Sequence, residues 1–362
     1  MIHNRKYKLL IVALLCIIYT NAFSQNLDSL LSLYQKEGSS LYRGEGKFLD
    51  LKSNFNGAVL VAKHDKVIFK KAYGWYNRDK DIPLQIDSKF QIGSVTKPFT
   101  ALLVLQLVEK GVLSLEQSVA DILPYFPKQK GDKLTIHRLL SNTSGLPHYS
   151  GLMDLGLTRE DFFQKVYTPE QYAKLIGDVG FINQPGRKFY YSSLGFQLLG
   201  VILEKVTGQT YDELLQQHIT SPLGLKNTGY SDNDFVENHV AKDYNFEDYL
   251  WGLIKTFEDG EFRDQSTSYA AGGIHSTVED LYIWSQALRA NKLLSKELTQ
   301  KMFTTNKTGY CYGWFRNPQN MLERNPAAKL FLHSGGKGGF STYIALYDDS
   351  TTIIVCSECW PN

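Results

Sequence analysis

Gly57-Ala-Val-Leu-Val-Ala62 and Lys66-Val-Ile-Phe-Lys-Lys-Ala-Tyr73, separated by His64-Asp65, read as two strands joined by a tight turn. Strand signals return at the far end of the chain, over Leu330 to His333, Phe340 to Leu346 and Thr351 to Val355. Between the two ends the pattern changes. Ser94 to Glu109 reads as a helix rich in Leu and Val. Helical and loop signals fill residues 115–265: Thr135 to Leu140, Thr168 to Leu175, Leu194 to Val206 and Tyr211 to Ile219, punctuated by Pro and Gly. Ser276-Thr-Val-Glu279 has the form of a capping box that opens a helix running to Leu288. Strands, then helices, then strands predict an α+β fold: an antiparallel sheet flanked by helices, with an inserted all-α region. The strand–helix alternation of a doubly wound fold is missing.

Composition bounds the function. Of 362 residues, 43% are hydrophobic, 13% aromatic and 21% charged, which is globular and excludes disorder. A formal net charge of +2 points to no nucleic-acid partner. No internal repeat or linker-like stretch interrupts the chain. The expectation is one catalytic domain over 25–362, its α/β part at about 25–115 and 265–362 and its helical part at about 116–264. Ahead of it, Arg5, Lys6 and Lys8 form a basic region, Leu9 to Tyr19 an apolar run, and Ala22-Phe23-Ser24 a small-residue site. The run is too short to span a bilayer comfortably, so residues 1–24 read as a secretory signal, with a signal anchor as the rival. No later apolar run reaches spanning length, so no stable membrane insertion is expected after cleavage. Asn26 to Tyr34 reads as a short amphipathic helix. Cys16 leaves with the signal. Cys356-Ser-Glu-Cys359 has CxxC spacing, but it sits at the end of a strand-like run with no second ligand pair.

Three stretches carry chemistry. In Ser94-Val-Thr-Lys97 the spacing puts both side chains on one helical face. A serine hydroxyl needs a base within reach, and a lysine serves once its pKa is lowered. In the first turn, free backbone N–H groups stabilise developing negative charge, and Pro98 is tolerated there. A second match, Ser334-Gly-Gly-Lys337, lies among glycines where no helix aligns the pair, and reads as accidental. In Pro185-Gly-Arg-Lys-Phe-Tyr-Tyr191, Tyr191 precedes a helix; a nearby ammonium would lower its phenol's pKa and make it a general base, then acid. In His333-Ser-Gly-Gly-Lys-Gly-Gly339, a histidine at a strand end is followed by glycines that let a ligand approach the backbone. His333 could there bind a substrate carboxylate, assist proton transfer, or simply be structural.

Taken together, Ser94-Val-Thr-Lys97, Tyr191-Ser-Ser193 and His333-Ser-Gly335 resemble, in order and spacing, the three active-site motifs of the serine β-lactamase and penicillin-binding-protein superfamily. The spacing is similar to that of class C β-lactamases and low-molecular-weight DD-peptidases. Leu139-Leu-Ser-Asn-Thr-Ser-Gly-Leu-Pro147, Gln197-Leu-Leu-Gly200, Pro222-Leu-Gly-Leu225 and Ala271-Gly-Gly273 look like family context, and the resemblance runs over roughly residues 55–355. It implies that Ser94 is the acylated nucleophile, Lys97 its base and Tyr191 a proton shuttle. It implies that Ser193, His333, Ser334 and Gly335 contact substrate and that the N–H groups of Ser94 and Gly336 form an oxyanion hole. No metal or organic cofactor is implied. Three features depart from the pattern. Ser193 stands where β-lactamases and DD-peptidases usually carry Asn. Lys307-Thr-Gly309 spells the alternative third motif but precedes Tyr-Gly-Trp rather than an active-site strand, and reads as a decoy. The chain reaches Asn362 immediately after its last strand, where many relatives continue into a helix; an exposed apolar sheet face, or a partner on it, is the corresponding expectation.

The leading expectation is an exported serine hydrolase acting through an acyl-enzyme on a small-molecule or peptide substrate, esterase- or peptidase-like because of Ser193 and His333. A D-Ala-D-Ala carboxypeptidase, a β-lactamase and a penicillin-binding sensor that never turns over are the alternatives. Metal chemistry is poorly supported, because seven histidines from His64 to His333 are scattered without ligand spacing. Export predicts cleavage before Gln25. Intact mass of the secreted protein checks it, and a membrane-bound protein that retains residues 1–24 contradicts it.

Overall fold

A run such as Gly57–Ala62 makes a stable strand only when both of its faces are covered. β1 (Asn56–Lys63) meets that condition: every residue but the last is buried. The computed structural model describes residues 55–77, 80–241, 244–247, 256–259, 264–304, 309–316 and 329–358. The expected signal, the Asn26–Tyr34 helix, Lys307 and Cys359 lie outside them. β1 turns through His64 and Asp65, both at positive φ (48° and 61°), into β2 (Lys66–Tyr73). Paired positive φ values give the hairpin turn whose twist suits the strands.

Four further strands complete the sheet: β3 (Phe315–Arg316), β4 (Leu330–Lys337), β5 (Phe340–Tyr347) and β6 (Thr351–Glu358). Their order is β3-β4-β5-β6-β1-β2, antiparallel throughout. Lys66, Lys70 and Lys71 on the edge strand β2 are exposed, which discourages pairing with another sheet. Alternate residues face two cores. Ala58, Leu60, Ala62, Ile344 and Ile354 face the helices. Val59, Val61, Tyr343, Ala345, Ile353 and Val355 face the other way and are buried too, so among the described residues this face of the sheet is not an exposed apolar one.

Three helices position the site: α1 (Thr96–Glu109), α2 (Ser193–Thr207) and α3 (Val278–Arg289). Every residue of α1 from Thr96 to Leu107 is buried. A helix with no polar face belongs at the centre of a domain. It packs against α2 and the short helix Tyr269–Gly272, and the Phe99 ring stacks on Trp284 of α3 at 3.9 Å. The described residues of the stretch expected to be helical form helices and loops, but also short strands at Gly229–Tyr230, Tyr244–Glu247 and Thr256–Asp259. The mixed helix and antiparallel-sheet architecture is the one expected. Among the described residues no helix is long and apolar enough to cross a membrane.

Two local expectations need correction. The cap of α3 is Thr277, whose side chain accepts from the N–H of Asp280; the Ser276 hydroxyl instead pairs with that of Thr228 at 2.7 Å. β4 does not stop at His333. It continues through both glycines, pairing Gly335 with Thr342 and Gly336 with Ser341.

Those glycines let β4 press against the chain ahead of α1. A Cβ on Gly335 would lie 1.9 Å from the Ile92 carbonyl oxygen and 2.9 Å from the Ser94 nitrogen. Gly93, at φ +50°, would meet the Gly336 nitrogen at 2.8 Å. Gly335→Ala should therefore destabilise the protein by about 1–3 kcal/mol, the usual cost of overpacking. Gly180→Ala, a position with no neighbour within 4 Å, should stay within about 0.5 kcal/mol. Urea unfolding measures both, and equal stability of the two variants contradicts the close contact.

Candidate active site

Ser94 lies in a 3₁₀ turn, Gly93–Val95, that runs straight into α1. The helical path brings Lys97 round to the same side, and its Nζ stands 2.9 Å from Ser94 Oγ. Nζ also donates to the Ala271 carbonyl at 2.9 Å. That carbonyl is held in place from α1 itself: Thr100 Oγ1 donates to the neighbouring Ala270 carbonyl at 2.6 Å, and Thr96 Oγ1 accepts from the Ile274 N–H at 3.2 Å. Lys97 is fully buried. Loss of water disfavours the ammonium and holds its pKa well below the ordinary 10.5. With one N–H committed to Ala271, the neutral amine has its lone pair available for the Ser94 hydroxyl.

Tyr191 precedes α2, as expected, on the same side of the site as Ser94 and Lys97. Its ring lies 4.9 Å from Lys97 Nζ. The expected fall in its pKa does not occur. Burial raises the phenol's pKa, the nearby Ser94 hydroxyl offsets only part of the rise, and the lysine beside it is itself pushed toward neutrality. The same desolvation thus moves the two groups in opposite directions and leaves an amine beside a phenol.

His333 is in mid-strand and buried, among the rings of Phe315 (5.5 Å), Tyr191 (6.1 Å) and Tyr310 (6.4 Å). Nδ1 donates to the Ser334 carbonyl at 2.7 Å, and Nε2 is buried with no hydrogen-bond partner among the described residues. Burial first, then the nearby Lys97, lower its pKa to about 3. A cationic His333 that grips a carboxylate near neutral pH is therefore corrected: the ring is neutral there. Ser334 is exposed, and Lys337, three residues on and facing the opposite way, is buried and donates to Gln265 Oε1. A strand cannot align that SxxK pair.

Ser94, Ser193, Gly336, Lys337, His148 and Tyr149 line one cavity of about 320 Å³. Gly335 lies behind it, against Ile92. Ser193 opens α2, and its N–H donates to His148 Nδ1 at 3.3 Å. The Tyr149 hydroxyl accepts from Gln197 Nε2 at 3.1 Å, and burial pushes its pKa up to about 12. His148, Tyr149 and Lys337 were not singled out from sequence. The signal for the first two was position, directly after Gly145-Leu-Pro147; Lys337 was hidden in the SxxK match set aside as accidental. The Cys311 and Cys356 thiols are free, buried and raised to about 12, which makes them inert. Among the described residues no group of His, Cys, Asp or Glu could hold a metal ion.

A family model described as Beta-lactamase matches residues 49–357. The chain is 28% identical over 329 residues to Penicillin-binding protein 4* of Bacillus subtilis (strain 168), covering 85% of this chain and 69% of that one. It is 29% identical to Protein flp of Staphylococcus aureus (strain MW2), covering 82% of this chain but only 58% of that protein's length. Among solved structures, the octameric penicillin-binding protein homologue from Pyrococcus abyssi superposes with a TM-score of 0.75 at 26% identity, over 93% of this chain and 74% of that one. The D-amino acid amidase from Ochrobactrum anthropi SV3 gives 0.71 at 21% identity, over 85% and 88%, and so shares the fold.

Two predictions follow from the protonation states. The active amine is unprotonated, so labelling of Ser94 by a fluorophosphonate should rise with pH through the lowered Lys97 pKa and then level. Lys97→Met should slow it at least about 10²-fold and remove the rising limb. Because the unfolded chain binds the Lys97 proton up to its ordinary pKa and the folded chain does not, stability should also rise with pH in that window, less so in the variant. Second, any preference for anionic over neutral substrates should stay flat from about pH 6 to about pH 8, the range in which an ordinary histidine titrates. A preference that fades over that range contradicts the neutral His333.

Proposed function

The chain belongs to the beta-lactamase family, and from that premise we propose that it is an exported serine hydrolase that cleaves small esters and amides through an acyl-enzyme on Ser94. The observation that carries this reading is the desolvated Lys97 amine, 2.9 Å from a serine oxygen that faces a cavity.

The chemistry runs in two halves. Lys97 Nζ takes the Ser94 hydroxyl proton as Oγ bonds to the scissile carbonyl carbon. The carbonyl oxygen becomes an oxyanion, met by the N–H groups of Ser94 and Gly336. When the tetrahedral centre collapses, the bond to the leaving alcohol or amine breaks. Tyr191 gives that group its phenolic proton and recovers one from the Lys97 ammonium, which returns to the free amine. Water then attacks the acyl-enzyme, loses its proton by the same route reversed, and releases the acid with Ser94 reprotonated. A neutral phenol beside a neutral amine suits this relay, because neither group has to begin charged.

Activated esters are the favoured substrates. Ser193, which lines the cavity, is shorter than the asparagine found there in dedicated β-lactamases and DD-peptidases. An ester has a better leaving group and no leaving amide N–H to satisfy. Acylation by penicillins, with or without turnover, is the second reading; the names of the relatives favour it. The test is kcat/KM for p-nitrophenyl esters, D-amino acid amides, a D-Ala-D-Ala peptide and a chromogenic cephalosporin, on wild type and Ser94→Ala. Esters should be cleaved fastest and Ser94→Ala should abolish every activity. Faster turnover of the cephalosporin than of the esters contradicts the esterase preference, and activity that survives Ser94→Ala contradicts the mechanism.

A further inference from the structure

A substrate in the Ser94 cavity meets no side-chain amide at position 193, since that residue is a serine. It meets His148 instead. This ring belongs to the loop after Pro147 and is anchored on one side only. Its Nδ1 accepts the Ser193 N–H at 3.3 Å, the first N–H of α2, a donor that a helix leaves without a partner of its own. A neutral imidazole that accepts at Nδ1 carries its proton on Nε2. The ring is fixed edge-on to Tyr191 at 5.7 Å and leans on Tyr149 at 4.8 Å. Burial, then the charge Lys97 carries when protonated, lower its pKa to about 4 and keep it neutral. Protonation would also destroy the Ser193 bond and set a cation at a helix N-terminus, where cations are disfavoured. The half-buried ring thus presents one N–H donor with no protein acceptor among the described residues, in the wall of the cavity that holds Ser94.

We infer that His148 is a substrate-binding residue, whose Nε2–H donates to a carbonyl oxygen on the acyl side of the substrate, adjacent to the scissile group. The enzyme then favours acyl donors that carry an amide there, such as N-acylated amino acid esters, over plain alkanoyl esters of similar length. A different residue, from a different loop, performs the recognition that an asparagine at position 193 would give. This rests on the Ser94 acyl-enzyme reading.

The test compares N-acetylglycine p-nitrophenyl ester with p-nitrophenyl butyrate on wild type, His148→Phe and His148→Gln. Phe keeps a ring and removes the donor; Gln restores an N–H. The ratio of kcat/KM for the two esters should fall about tenfold in His148→Phe, the scale of one hydrogen bond, chiefly through KM. It should recover at least in part in His148→Gln. An unchanged ratio, or an equal loss on both esters, overturns the inference, since a purely structural ring would affect both alike. His148→Leu replaces the Phe variant should that one not fold. If wild type turns over neither ester, the hydrolase reading has failed; the rate of Ser94 adduct formation by intact mass then decides on His148 with the same ratio, and no adduct from either ester counts against both.

Discussion

Burial of the Lys97 amine is the condition on which the rest of the site depends. It comes from the composition of α1, which has no polar face and so lies in the middle of the domain with Lys97 in its first turn. The ammonium has no water there and, among the described residues, no carboxylate beside it, so it gives up its proton. What replaces hydration is a single carbonyl, that of Ala271, on a short helix tied back to α1 through Thr100 and Ala270. The packing that stabilises the fold and the activation of Ser94 are one arrangement.

Desolvation sets the other protonation states too. Tyr191 is held as a phenol, and His333 and His148 as neutral imidazoles, each because the charged form would lose its solvent. In the proposed reaction the reacting groups begin uncharged, and charge appears only when Oγ attacks and the oxyanion and the Lys97 ammonium form together. The oxyanion needs donors already in position. On this proposal β4 supplies one, because it runs its two glycines against Ile92, Gly93 and Ser94, an approach that any Cβ at 335 would block.

Much of this was legible in the sequence because it is local. An apolar run, a tight turn and a second run announce the hairpin; a three-residue spacing on a helix announces the Ser94–Lys97 pair. The misreadings are tertiary. The strand was expected to end at His333, yet Gly335 and Gly336 pair with Thr342 and Ser341, and their missing side chains let the strand press against Ile92, Gly93 and Ser94. The Tyr191 pKa was expected to fall beside an ammonium, but burial of the phenol raises it, and burial lowers the lysine's own pKa. His148 was passed over among scattered histidines because its partner, the N–H of Ser193, lies 45 residues away. Thr277 was overlooked as a cap because Ser276 fits the same motif one residue earlier, and only its pairing with Thr228 separates them.

The protonation state of Lys97 can be observed without substrate. In protein carrying ¹³C at lysine Cε, the Lys97 resonance, identified by its loss in Lys97→Met, should titrate well below the ordinary lysine pKa of 10.5, which makes the amine the base that activates Ser94. A Lys97 that titrates with the exposed lysines, near or above that value, would mean that a protonated ammonium faces Ser94, and would contradict the account at its centre.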